Sequence, residues 1–296
     1  MNDLSNALRE RRHCCSCRPI PTPVVCLLIP LFFIGIAVSI FILVVVHNAF
    51  FFVSLLLLSA AVLAFLVWNT LNWRRNGAIL LFLDSFPDSD LRTATHGQLV
   101  KITGFASCGS LSLESSYEKV HRCTFTSTLL YEYKGFSLKK ANVNNGWFQW
   151  RVAYAERFST DFYITDMKSG IRVMVKAGYG SKVIPLIVES TLVNTTNKHR
   201  VLSSYLRKWL VERNLSAEAR LLHLEEGYIK EGSSVTVMGV LHKNSDITMI
   251  VQPPEIVSTG CLWRGFLLPV DVNGLILRVS ETSSSPLTNP CSGEEP

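Results

Sequence analysis

Charge is scarce in this chain. Only 18% of its 296 residues are Asp, Glu, Lys or Arg, against about 25% in an ordinary soluble domain. The shortage is local: from Pro19 to Trp73, 55 residues, none of the four occurs. Elsewhere the charge content is that of a globular domain, and the mean hydropathy of the whole is +0.26. This excludes a wholly soluble protein and a disordered chain, and a single uncharged run is too short for a multi-span transporter. Catalytic signatures are missing as well. There is no phosphate-binding glycine loop, no H-E-x-x-H and no G-x-S-x-G. The net charge of +6 is mild, and the basic residues beyond Trp73 are scattered. That argues against a nucleic-acid partner and suits a position near an anionic membrane face.

What is present is first a pair of apolar blocks, Val24 to Val46 and Ala49 to Trp68, parted by His47 and Asn48. About 20 apolar residues cross a hydrocarbon core of about 30 Å. Each block (24–46 and 49–68) is therefore read as a transmembrane helix, and so short a connection forces an antiparallel hairpin. A cleaved signal peptide fits poorly, because the first block exceeds the usual apolar region and no small-residue cleavage site follows. A hairpin dipping into one leaflet is the other alternative. Gly35 and Ala60 lie at matching depths from the turn, so they are candidates for close helix packing. Arg9, Arg11, Arg12 and Arg18 precede the first block and Arg74 and Arg75 follow the second. The positive-inside rule then puts both termini in the cytosol, on an endomembrane or the plasma membrane.

The segment before the first block, 1–23, is basic and carries Cys14, Cys15 and Cys17. Cytosolic thiols beside a membrane are candidates for reversible acylation, with unmodified thiols as the alternative. A zinc site competes through His13, but structural zinc ligands come as spaced pairs, and these are crowded into one run. No metal or other cofactor is expected. Asn194-Thr195-Thr196 and Asn214-Leu215-Ser216 fit the glycosylation pattern, which is used only in the lumen. In a cytosolic domain they stay bare, and the remaining cysteines stay reduced.

The segment 76–280 is read as one mainly β, α+β domain, followed by a Ser/Pro-rich disordered tail, 281–296. Thr160 to Met167 with Ile171 to Lys176 form one expected hairpin, and Val235 to His242 with Ile247 to Gln252 a second. Cys123 to Tyr133 and Trp147 to Phe158 are expected strands. Val201 to Glu212 repeats apolar residues at helical spacing, and a shorter helix is expected from Ser216 through Leu224. Gly97 to Gly104 and Gly232 to Gly239 both read G-x-x-V-x-[IV]-x-G. A turn glycine, an alternating strand and a second glycine suited to a bend point to a small barrel with inserted elements.

Phe86-Pro87-Asp88-Ser89-Asp90-Leu91-Arg92, Leu113-Glu114-Ser115-Ser116-Tyr117, Tyr131-Glu132-Tyr133 and Glu226 to Gly232, together with the two apolar blocks, give the chain a likeness. From about Val24 to Val279 it resembles a plant family of uncharacterised two-span membrane proteins, some of them labelled as related to ubiquitin-specific proteases. The two glycine-framed strands also distantly resemble the domain of a membrane-anchored mitochondrial ubiquitin ligase. That ligase ends in a zinc-binding RING, whose cysteine spacing is absent here.

The protease label directs attention to His121 and Cys123, the one close His/Cys pair beyond the apolar blocks. No third group or oxyanion donor accompanies them. The expectation is therefore a non-enzymatic, membrane-anchored adaptor that meets membrane lipids and a protein partner on the cytosolic face. A thiol hydrolase using Cys123, or a subunit of a membrane trafficking or transport complex, stands as the alternative. Trp147, Phe148 and Trp150 are expected in the core rather than at a ligand.

Overall fold

The computed structural model describes residues 1–5, 22–47, 49–74, 76–133, 150–195, 202–216, 221–244, 247–262 and 265–279. Cys14, Cys15, Cys17, the 281–296 tail, Trp147 and Phe148 lie outside these residues. In chain order the elements begin with β1 (Asn2–Asp3), α1 (Thr22–Val46), α2 (Phe50–Arg74), α3 (Gly77–Ser85), β2 (Leu99–Cys108), β3 (Cys123–Tyr133) and β4 (Trp150–Ser159). They continue with β5 (Phe162–Asp166), β6 (Arg172–Val175), β7 (Val183–Leu186), β8 (Ser190–Asn194), α4 (Ser204–Glu212) and β9 (Leu222–Lys230). The chain ends with β10 (Ser234–Lys243), β11 (Thr248–Val251), β12 (Val257–Ser258), β13 (Asp271–Val272) and β14 (Leu275–Val279).

Five of these strands close on themselves. β2 pairs with β5, β5 with β6, β6 with β11, β11 with β10, and β10 returns to β2. Numbered along the chain the circuit reads 1-2-3-5-4-1, and its one parallel pair is β6 with β11. That is the topology of the OB fold, a five-stranded Greek-key barrel. Val100, Ile102, Ile164, Val175, Val237 and Ile250 are among the side chains that fill it, all at most 1% exposed. Both expected hairpins are here, as β5–β6 and β10–β11.

The two glycine-framed segments meet at the barrel's seam. β2 and β10 run antiparallel with Ile102 opposite Val237, Val100 opposite Gly239 and Gly104 opposite Val235. Their repeat is thus a local two-fold, and the hydrogen bonds obey it. Gly97 N donates to Leu241 O and Gly232 N to Ala106 O, each at 2.8 Å. The first glycines turn the chain at φ +82° and +83°. The second ones permit close approach: a Cβ on Gly104 would fall on the Thr165 carbonyl oxygen, and one on Gly239 would lie 2.6 Å from Val251 O. A coincidence of two ordinary strands would not produce this matched set.

A second, five-stranded antiparallel sheet in the order β1-β4-β3-β9-β8 is inserted into the barrel's connections. Leu206, Trp209 and Leu210 of α4 pack on it against Leu130, Leu222 and Leu224. The helix starts at Ser204 rather than Val201, because Ser203 accepts from Leu206 N at 3.1 Å and caps it. The helix expected through Leu224 is not formed there: Leu222 and Leu224 belong to β9. Their two-residue alternation buries both against α4, and cross-strand packing outweighs the helix-favouring composition of the segment.

α1 and α2 lie side by side, joined through His47, Asn48 and Ala49. Phe50–Trp73 is long and apolar enough to cross a membrane, while the apolar stretch Ile29–Val45 of α1 is shorter. Gly35 faces Leu55, whose Cδ1 would lie 3.4 Å from a Cβ at that position. Ala60, its expected partner, is exposed instead. Depth alone does not fix contact: Phe52, Leu55, Ser59 and Leu66 form the partly covered stripe of α2, and Ala60 is turned about 100° away from Ser59.

The seam makes a contrast that is measurable in detergent by thermal or urea unfolding. Gly104→Ala forces β2 off β5 and is expected to cost about 2–3 kcal/mol or more. Gly97→Ala meets no atom within 4 Å and pays only for its left-handed backbone, about 1 kcal/mol. Equal losses at both sites would contradict the described register.

Candidate functional site

α3 is a nine-residue helix whose Ile79 and Leu83 are buried against Ile184, Met238, Val272 and Ile276. It follows α2 through Asn76, which turns the chain at φ 53°. The end of α3 is held by a lysine from the barrel. Lys101 Nζ donates to Leu83 O at 2.9 Å and Phe86 O at 2.7 Å, and lies 3.2 Å from Asp88. A cation at the negative end of a helix is favourable, and here it also satisfies carbonyls that have no helical partner. Desolvation pushes the Asp88 carboxyl up, but hydrogen bonds and charge from Lys168 and Lys101 outweigh it and hold the group below its ordinary value. Asp84 on α3 pairs with Arg278 on β14.

Between α3 and the outer surface of β2, β10, β14 and β7 lies a cleft of about 720 Å³. Leu80, Pro185, Ile187 and Val188 give it an apolar wall, and Val188 is 83% exposed. Thr103 and Thr236, opposite each other across the seam, share a hydrogen bond of 3.0 Å and line the cleft with Tyr228. No His, Cys or Ser is among its lining residues. An apolar wall beside paired charges suits an amphipathic ligand.

The sequence-derived candidates lie elsewhere. Cys123 is buried at the start of β3, and its thiol donates to Val120 O at 3.4 Å. Burial pushes the thiol up to about 11, with Cys108 adding to the effect. The His121 ring is 77% exposed and its Nδ1 lies 3.4 Å from Glu114 Oε2. So the structure gives the imidazole a carboxylate and gives the thiol a backbone carbonyl. Glu114 serves the turn before β3 through this contact and Lys119. Trp150 is partly covered beside Tyr133. Among the described residues no group of three or more His, Cys, Asp or Glu is placed to hold a metal.

Sequence reasoning missed two features. One is α3 with its cleft; the run Gly77 to Leu83 after Arg74-Arg75 could have flagged a juxtamembrane helix. The other is a carboxylate that joins two of the motifs quoted above. Glu226 is 1% exposed and accepts from Tyr117 N, Glu118 N and Thr128 Oγ1, each at 2.9 Å. It ties the loop holding Leu113 to Tyr117 to β3 and β9, which is a reason for a charged residue mid-strand.

The Cys123 environment makes a pH prediction. A thiol of pKa about 11 is about 1% thiolate at pH 9. Native protein treated with iodoacetamide between pH 7 and 9 should be alkylated at exposed Cys261 and spared at Cys123, with Cys123 reacting only after denaturation. Rapid native modification of Cys123 near neutral pH would reopen the thiol-hydrolase reading.

Two comparisons with known proteins are empty: no family model and no solved structure matches. A third is not. Over 267 residues the chain is 41% identical to an uncharacterised membrane protein of Arabidopsis thaliana, covering 90% of this chain and 56% of that one. The chain thus spans little more than half the length of the curated relative it matches; that relative is a membrane protein, and this chain has in Phe50–Trp73 a helix long and apolar enough to cross a membrane.

Proposed function

We propose that this chain is a membrane-anchored, non-enzymatic binding module, whose cleft beside the membrane receives an amphipathic segment of a partner protein. The cleft carries the reading: it follows an apolar helix in the chain and sets an apolar wall of Leu80, Pro185, Ile187 and Val188 beside the ion pair of Asp84 and Arg278. The likeness to a plant membrane protein agrees with the anchor.

In this reading α1 and α2 both cross the bilayer. Residues 1–5 support it. Asn2 and Asp3 pair with Ser159 and Phe158 of β4, Leu4 N donates to Arg157 O at 2.8 Å, and Asn2 Nδ2 donates to Ser181 O at 2.7 Å. The chain before α1 therefore touches the domain that follows α2. A chain whose two ends meet on one side of a membrane crosses it an even number of times. If α2 crosses, α1 must return. The flanking arginines favour the cytosol as the shared side, and acylation of Cys14, Cys15 or Cys17 would add a lipid anchor there.

A photo-cross-linking amino acid at Val188, in intact membranes, is expected to yield a discrete protein adduct. Arg278→Glu, placing like charge beside Asp84, should reduce that adduct severalfold. Adducts with lipid alone would sink the protein-binding reading. Topology has a separate test, because Asn194 and Asn214 are both exposed. Both should stay unglycosylated in cells, and a glycan on either would place the domain in the lumen.

A further inference from the structure

The loop between β12 and β13 is built onto the membrane helix itself. Asn69, inside the apolar helix Phe50–Trp73, is only 3% exposed. Its Nδ2 donates to Phe266 O at 3.1 Å and its Oδ1 accepts from Leu268 N at 2.8 Å. One residue earlier, Trp68 Nε1 donates to Gly265 O at 3.0 Å. The side-chain amide of Asn69 thus acts as a short length of strand edge, and three hydrogen bonds fix the loop against α2. A bridge between Leu262 and Leu267 closes the loop on itself.

The level of this contact is set by helix geometry. Eighteen residues separate Phe50 from Trp68, about 27 Å at 1.5 Å per residue. That is close to the thickness of a hydrocarbon core, about 30 Å, so a helix entering the core at Phe50 leaves it near Trp68 and Asn69. Trp is the side chain enriched at such boundaries. The segment clamped there, Gly265 to Leu268 (GFLL), is apolar and carries one aromatic side chain. Its Phe266 is 69% exposed and adopts φ 51°, a left-handed conformation that is rare for a bulky residue. In water, a strained backbone that holds an aromatic ring away from the core has no compensation. At a bilayer boundary the same ring gains an apolar neighbour.

We propose that the Gly265–Leu268 segment is a second membrane contact, a wedge that inserts Phe266 into the interfacial region of the leaflet facing the domain. The inference rests on the anchored reading above and adds a lipid surface to it. The clamp and the wedge together hold the barrel in one orientation to the membrane, rather than on a free tether.

A nitroxide at Phe266→Cys tests this in the full chain, reconstituted in phosphatidylcholine vesicles with a minority of phosphatidylserine. Every cysteine except buried Cys123 is replaced by serine. Oxygen should relax the label severalfold more than a water-soluble nickel chelate does, as at Leu58→Cys on α2, with Val188→Cys showing the reverse. A label at 266 that behaves like the one at 188, with 58 still in lipid, overturns the wedge alone. If 58 also behaves as in water, the anchor fails and the wedge falls with it. Phe266→Gly relieves the backbone and should remain folded while losing protection of the loop from protease in vesicles; unchanged protection would count against the wedge.

Discussion

The antiparallel seam between β2 and β10 is the constraint on which the remaining architecture depends. It closes the barrel, and it can close only because two small residues let neighbouring strands approach. Gly104 lies over the Thr165 carbonyl and Gly239 over that of Val251, so the seam can sit against β5 on one side and β11 on the other. β10 is shared: Val235 to Met238 pair with β14, and Val240 to Lys243 pair with β11. The first half of the strand therefore builds the wall of the cleft while the second completes the barrel. The paired threonines Thr103 and Thr236, one residue from the Ile102–Val237 pair at the centre of the local two-fold, are where the outer face of the seam becomes the cleft.

Around this rigid unit the charged groups serve position. Lys101 leaves β2 to stop α3, Glu226 leaves β9 to hold the loop from Leu113 to Tyr117, and Arg157 with Ser127 secures Glu189. Each is a charge on a strand whose partner lies on a connecting segment. A β-barrel with long insertions has many such segments, whose backbone amides and carbonyls lack ladder partners. Side chains that satisfy them convert loops into fixed surface. This is why charged residues within strands indicate construction here.

Strands with a clean two-residue alternation were legible before the structure. Cys123–Tyr133 is found with both expected ends, and both expected hairpins are formed, as β5–β6 and β10–β11. The glycine echo was legible as a motif, but its meaning was not. Sequence shows similarity between two segments, whereas their pairing into a two-fold depends on the intervening chain bringing them together. The stretch Ser216 to Leu224 suits a helix locally, yet Leu222 and Leu224 are strand residues of β9, because the partners that decide this, Leu130 and Trp209, are far away in sequence. Gly35 and Ala60 show the same limit: counting from a turn gives depth, whereas contact also needs the helical face. The cleft was hidden for a related reason. Its residues come from α3, β2, β7, β9, β10 and β14, and no window of sequence contains more than a fragment.

The polar residues at the end of α2 fix the domain to that helix. Asn69 and Asn72 would be ordinary boundary residues on a free helix, but their roles differ. Asn72 bonds back to Trp68 O in its own helix, while Asn69 reaches Phe266 and Leu268 with the two ends of its amide. A buried amide with donor and acceptor both engaged fixes rotation about the helix axis as well as distance. The same helix runs through Asn76 into α3, so the cleft is tied to that axis from one end and the loop from the other. Arg278 and Asp84, the pair at the cleft's rim, are 35% and 63% exposed. An ion pair so open to solvent holds little free energy. In the binding reading proposed above, a partner that displaces it loses little and takes most of its affinity from the apolar wall.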